Sequence, residues 1–444
     1  MTKSMTQGNP LKLILSFALP LLIGNLLQQT YNIIDAAIVG RFLGSDALAA
    51  VGASSSVQFL VLGFCIGTTL GFGVPIARHF GAGDLKKLKE CFYNSILLTA
   101  AFAALLTTVC ALLCNVILKA LSTPANIHAD AYKYLLVIFL GIPFTLLYNL
   151  LSSVLRSVGD SKTPFVFLAI STVLNIGLDL LFVVAFRWGC SGAAIATVLA
   201  QAISGILCAI FITRKVKVLQ LSREDRNIHG NTMLNLIIMG VPMGLQYSIT
   251  AIGSMVMQSA NNKLGSIYVS GFTAASRIKQ FTMCPYDAFA TGASVFASQN
   301  LGAGNLDRIK KGIRIGVAVG VLYGLFAGLV LIFFGRRAFD DLCQQGGRCG
   351  AGRFGKIPFL RRLFLLDAGN TQHLQNVYAG SWLFGTCGVL GRDGNDRTNC
   401  RKYDVCRQIR LYGYLLHRSG GLGIGLYLHS ADMYFLREQG RTFH

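Results

Sequence analysis

The sequence predicts an all-α protein that crosses a membrane many times, built as two lobes. Three observations carry this. Of its 444 residues 53% are hydrophobic and only 13% charged, against about 25% charge in an ordinary soluble domain. Nine apolar runs, near 11–40, 46–75, 91–119, 131–155, 163–186, 190–213, 232–260, 267–298 and 311–335, each reach the roughly 20 residues that one crossing needs. The chain also repeats itself: "HFGAGDLKKLKE" at 79–90 returns as "NLGAGNLDRIKK" at 300–311, and "FLGS" at 42–45 as "KLGS" at 263–266, both 221 positions later. Pro20 and Pro242 match within one residue of that offset.

One repeat holds six spans. Six is even, so both copies enter the membrane in the same direction, the arrangement of parallel-repeat transporters with a path between the halves. Residues 1–225 then form a six-helix lobe, and 226–335 supply the first three helices of an incomplete second lobe. The first run is too long for a signal peptide and has no small-residue cleavage site, so it is read as a retained helix.

The net charge of +21 sits mostly in loops after the second, fourth, sixth and eighth runs: "ARHFGAGDLKKLKE", "LRSVGDSKTP", "TRKVKVLQLSREDR" and "NLGAGNLDRIKK". Basic loops stay on the cytoplasmic side, which places the N-terminus in the cytoplasm and the protein in the cytoplasmic membrane. The charge is thereby explained without nucleic acid. Cys65, Cys110, Cys114 and Cys208 lie inside apolar runs, where cysteine is a small hydrophobe. No CxxC or Cys/His spacing suggests a metal centre. The GAG loops lack the GxxxxGK[ST] of a phosphate cradle and do not read as GxGxxG after a strand. No Ser/His/Asp constellation stands out. Neither an enzyme nor a cofactor is expected.

Beyond Phe334 the texture changes. Residues 336–444 hold 16 Lys/Arg, 17 Gly and 5 Cys without a helical apolar period where three more spans are due. Back-translation of 380–384 and 393–400 with chosen codons, shifted by one base, reads as apolar-leaning sequence in both places. The expectation is a frameshift near 335–345 and an out-of-frame tail; the rival is a basic extension that binds nucleic acid or metal.

Asp35 lies deep in the first run, with Asn25, Gln28 and Asn32 at spacings of three, four and three, hence on one helix face. The fifth run carries Asn175 and Asp179 four apart. The fourth carries Thr145, Asn149, Ser152 and Arg156, and the sixth Thr197, Gln201 and Ser204. Polar stripes on spanning helices face protein or water rather than lipid. Low dielectric favours the neutral form of a carboxylate, and a second carboxylate nearby favours it further. Such a pair takes up a proton, or binds a hard cation such as Na⁺ at Asp35 and Asp179 with oxygens completing the shell. The bland alternatives are an Asp35–Arg41 surface pair, whose partners lie on different faces, and interhelical hydrogen bonding for Asn149 and Thr197.

"YNIIDAAIVGRFLG", the repeated "GAGD"/"GAGN", "LRSVGDSKTP", and Asn175-Ile-Gly-Leu-Asp179 followed by "WGCSGAAIATVLAQ" together resemble the multidrug and toxic compound extrusion (MATE) family over roughly 10–335. The resemblance implies twelve helices in two lobes, a central cavity, and alternating access driven by Na⁺ or H⁺ that exports amphipathic, often cationic drugs and dyes. It implies a coupling-cation site at Asp35, Asn149, Asn175, Asp179 and Thr197. Gln246, Asp287 and the stripe residues Asn25, Gln28, Asn32 and Gln201 become candidate cavity groups. For a second-lobe acidic site the counterparts are poor: Met257 stands opposite Asp35, and Asp287 follows Pro285, which itself explains a local kink. The expected partners are small-molecule drugs and membrane lipid, with a monomeric chain. A lipid-linked oligosaccharide flippase of the same superfamily would want more cations in the cavity; a non-transporting scaffold would leave the carboxylates without a purpose.

Overall fold

The computed structural model describes residues 3–121, 123–262 and 266–345, with side chains for all of these but 256–279 and 331–345. The chain divides into two compact units, Met1–Leu366 and Asp367–His444, and every described residue lies in the first. From 346 onward the tail expected to be out of frame, and the three further spans due there, lie outside the described residues.

Among the described residues all regular elements are helical: α1 (Pro10–Phe42), α2 (Ser45–Ala82), α3 (Leu85–Ala120), α4 (Ala125–Leu140), α5 (Ile142–Ser157), α6 (Lys162–Asp179), α7 (Cys190–Lys215), α8 (Gly230–Asn262), α9 (Ser266–Gly302) and α10 (Leu306–Gln345). Seven helices are long and apolar enough to span a membrane among these residues, and the bent pair α4–α5 makes an eighth. The eighth expected run, α9, is not among them; its described part carries Asp287, Gln299 and Asn300. The chain is a multi-pass membrane protein.

Two differences from the apolar pattern have local causes. The fourth run is not one helix but two, bent by 45°. Pro143 has no N–H to offer the carbonyl four residues back and its ring crowds that carbonyl, while Gly141 at the break lies where a side chain would strike Val198. The helices also run past their apolar cores: α2 ends at Ala82 rather than near 75, and α3 begins at Leu85 rather than near 91. Helical hydrogen bonding does not stop at the membrane surface. What stops it is Gly83, left-handed at φ 73° and closing the α2 C-terminus onto His79 and Phe80. Asp84 then caps α3 by accepting from the Lys87 N–H at 3.1 Å. Gly304, also at φ 73°, does the same after α9.

The halves pack through small residues. Gly63, Gly67 and Gly71 form a GxxxGxxxG row on α2 against Gly240 and Gly244 of α8. A Cβ on Gly67 would lie 2.5 Å from the Met243 carbonyl oxygen, and one on Gly71 2.6 Å from the Gly240 Cα. At the end that carries the basic loops, a Cβ on Gly81 would fall on the Gln299 carbonyl and one on Gly302 on the Arg78 carbonyl. Positions 78 and 299, and 81 and 302, are the same places in the two repeats. The first glycine of each GAG thus packs against the other copy, and the second ends its helix.

The segment between the lobes lies on α3. Lys89 pairs with Asp225 at 3.1 Å, Asn94 donates to the Asn227 carbonyl at 3.2 Å, and Glu90 takes Thr232 and His229. The Ser222 hydroxyl and N–H, with Lys89 beside them, hold the Asp225 carboxyl down at about 2, from an ordinary 3.8. A depressed carboxylate stabilises the folded arrangement above its ordinary value and loses that contribution as the pH falls toward its folded value. A spin label at Glu224→Cys should therefore gain mobility as the pH drops from 3.8 to about 2. With Asp225→Asn added it should be mobile at every pH; equal titrations in the two would remove Asp225 as the anchor.

Candidate functional site

The two carboxylates of the sequence meet. Asp35, from the second half of α1, and Asp179, the last residue of α6, are neighbours close enough to interact electrostatically. Each keeps an Oδ1 that is buried and has no partner. Asp179 is 0% exposed and Asp35 partly buried, but both Oδ1 atoms are shut off from bulk water, a costly arrangement for a polar atom.

The backbone explains why the groups converge. Ser171, Asn175 and Asp179 repeat every four residues and form one buried face of α6. Two cross-helix bonds bind that face to α7: the Ser171 hydroxyl donates to the Ala200 carbonyl at 3.0 Å and the Ser204 hydroxyl to the Phe167 carbonyl at 3.2 Å. This puts Asn175 beside Thr197. With its amide nitrogen donating to Asp179 Oδ2 at 3.2 Å, the Asn175 oxygen accepts from the Thr197 N–H at 3.3 Å. The reversed amide gives a single 3.4 Å contact to Thr197 Oγ1 and faces its oxygen to oxygen, so the first orientation is the physical one. Directly after Asp179 the helix widens into a π turn, Leu180–Ala185, a feature that often marks functional sites. An apolar shell of Ile38, Val39, Ile138, Val183 and Ala194 surrounds the cluster.

Two residues join that the polar stripes did not reveal. Tyr31 lies near Thr197, Asp35 and Asp179, and Tyr134 of α4 near Asp35, Tyr31 and Asp179. Tyr31 precedes Asp35 by four positions and so shares its face, which the spacing could have shown. Tyr134 carries no such signal, since an aromatic in an apolar run reads as core.

The other expected residues show different contacts. Asn149 donates to the Thr145 carbonyl of its own helix at 2.8 Å, the ordinary use of such a side chain in a membrane helix. Asn25 reaches the Cys284 carbonyl in the other lobe at 3.5 Å. Gln28 and Asn32 are exposed, as is Asp287, whose carbonyl accepts from Thr291. Gln201 is partly buried with Oε1 unpartnered, and Gln246 lies on α8, its carbonyl accepting from Thr250. What gathers at one point is Asp35, Asp179, Asn175, Thr197 and Tyr31. Among the described residues no three His, Cys, Asp or Glu cluster. The donors are oxygens of two carboxylates, an amide, a hydroxyl and a phenol, a set suited to a hard monovalent cation or to a shared proton.

The MatE family model matches residues 20–181 and 242–340, more than half of the chain. The chain belongs to the MATE family. "Probable multidrug resistance protein YpnP" of Bacillus subtilis (strain 168) is 34% identical over 304 residues, 68% of this chain and 68% of that one. "Probable multidrug resistance protein YoeA" of the same strain is 28% identical over 307 residues, 68% of this chain and 66% of that one. The MATE chain thus spans about two thirds of these relatives' length. In fold it is similar to a solved MOP superfamily transporter from Pyrococcus furiosus, with TM-score 0.78 and 21% identity over 86% of each chain. It is also similar to an outward-facing multidrug resistance MATE transporter, with TM-score 0.76 over the same shares.

Proposed function

We propose that this MATE chain is a cation-coupled antiporter of the cytoplasmic membrane, N-terminus inside, that exports amphipathic, often cationic drugs and dyes by alternating access. The observation that carries this is the buried Asp35–Asp179 pair with an unpartnered oxygen on each carboxylate. Na⁺ or H⁺ entering from outside neutralises the pair. The gain differs between the two lobe arrangements because α1 contacts both α6 and α9, so occupancy of the site shifts their populations. Asn175 and Thr197 hold Asp179 in place; Tyr31 offers a further oxygen. The relatives named for multidrug resistance support drug-like substrates and do not favour the flippase or scaffold alternatives. Reconstituted protein under an imposed Na⁺ gradient, then an imposed pH gradient, should expel ethidium under one of them and identify the ion. Efflux under neither would remove the reading.

The family match ends at 340, which supports the out-of-frame origin of 336–444 and the lobe assignment 1–225 and 226–335. Coding DNA sequenced across codons 330–400 should hold one added or missing base whose repair restores three apolar spans. An intact frame overturns this.

A further inference from the structure

The residues before α1 form a tie between the lobes, placed at the glycine seam. The Lys3 N–H donates to the Val158 carbonyl at 3.1 Å in the turn after α5. The Lys3 carbonyl occupies the space that a side chain at residue 159 would need, and Gly159, at φ 85°, leaves it free. Two residues on, the strap changes lobe. The Met5 N–H donates to Gln299 Oε1 at 2.8 Å, and its carbonyl accepts from Asn300 Nδ2 at 3.2 Å and from Arg308 at 3.4 Å. The Met5 side chain is 2% exposed, in the cluster of Leu13, Phe17, Val295 and Phe296. Gln299 closes the circuit by donating to the Ser157 carbonyl of the first lobe at 2.8 Å. One fully buried amide thus joins strap, α9 and α5.

The repeat makes this half of a reciprocal pair. Position 3 shifted by 221 falls at 224, in the segment that lies on α3 through Lys89, Glu90 and Asn94. Each half therefore leads into its first helix across the other half: residues 3–6 over α9 and α10, residues 222–229 over α3. The second crossing is also the covalent link. The first is held by hydrogen bonds and one buried methionine, so it can release.

We propose that residues 3–8 are a latch that holds the two lobes shut at the basic end, and that its release is a required step in opening that end. This rests on the alternating-access reading, and its test does not use transport. Spin labels at Lys87→Cys and Lys311→Cys, both exposed positions at that end, report lobe separation in the full chain with reactive cysteines replaced. Deleting 3–8 leaves Asn9, which caps α1 by accepting from the Leu11 N–H, so the helix start survives. The deletion should raise the long-distance population at least fivefold. A free peptide spanning Lys3–Asn9, added in excess, should restore the short distance, and a scrambled peptide should not. Unchanged distances after deletion overturn the latch. So does a longer distance that the peptide fails to reverse, because loss of folding rather than release would then account for it. If ethidium efflux fails while these distances behave as stated, the latch stands and the antiporter reading falls.

Discussion

Replacing Asp179 by Asn is expected to reduce coupled ethidium efflux at least tenfold, to near background, with expression and membrane insertion close to normal. The side chain keeps its shape and can still meet Asn175 at the 3.2 Å position of Oδ2. What it loses is the charge that ion or proton would neutralise. Moving a two-state equilibrium from 1:99 to 99:1 requires roughly 5.5 kcal/mol of differential binding; a site that no longer changes charge supplies little of it. Asp35→Asn should do the same. The double substitution should be no worse than either single one, because under the proposed coupling the carboxylates act as one proton- or cation-holding unit and such effects do not add. Asn149→Leu tests the geometry against the resemblance. The resemblance puts Asn149 in the site, whereas its amide is turned to its own helix, so its effect should be several-fold smaller than that of Asp179→Asn. The measurement is initial efflux rate at matched protein level under the gradient that drives the parent. Unimpaired efflux in Asp179→Asn would sink the coupling role, and a full loss in Asn149→Leu would return that residue to it.

The carboxylates were legible because a charge inside an apolar run has no other good explanation; helical spacing then put Asn175 on the face of Asp179, and the family resemblance added Thr197. The helices were legible from the same runs. Less legible was everything that depends on the chain meeting itself. The row Gly63, Gly67 and Gly71 looks in sequence like a weak spot in a helix and becomes in space the surface on which α8 lies. The GAG motif reads in sequence as a loop, which fits Gly83 and Gly304 and misses Gly81 and Gly302, whose missing side chains make room for the opposite lobe. Tyr134 was invisible because its partners, Asp35 and Asp179, come from helices far away in sequence. Residues 3–8 offered no pattern at all, since their bonds run through backbone groups and through Gln299 and Asn300, nearly 300 positions on.

The glycine seam makes the second large prediction. Gly81→Ala and Gly302→Ala should each open the basic end, and by similar amounts, because they occupy equivalent positions in the repeat and each new Cβ falls on the other copy's backbone carbonyl. A backbone oxygen cannot swing aside as a side-chain tip can, so the helices must separate or the seam must bend. Overpacking of this kind costs roughly 1–3 kcal/mol, a shift of about 5- to 150-fold in the closed-to-open ratio. The same Lys87 and Lys311 spin-label distances would report it. Gly83→Ala and Gly304→Ala meet no atom within 4 Å. They strain only the left-handed turn, at about 1 kcal/mol, and should lower thermal stability while leaving the distance unchanged. The two seam substitutions share one contact surface, so the second should cost clearly less once the first has parted the helices. Strict additivity in the double variant would mean that the two motifs act separately, each within its own lobe. Coupling would mean that the repeated motif exists to be its own partner.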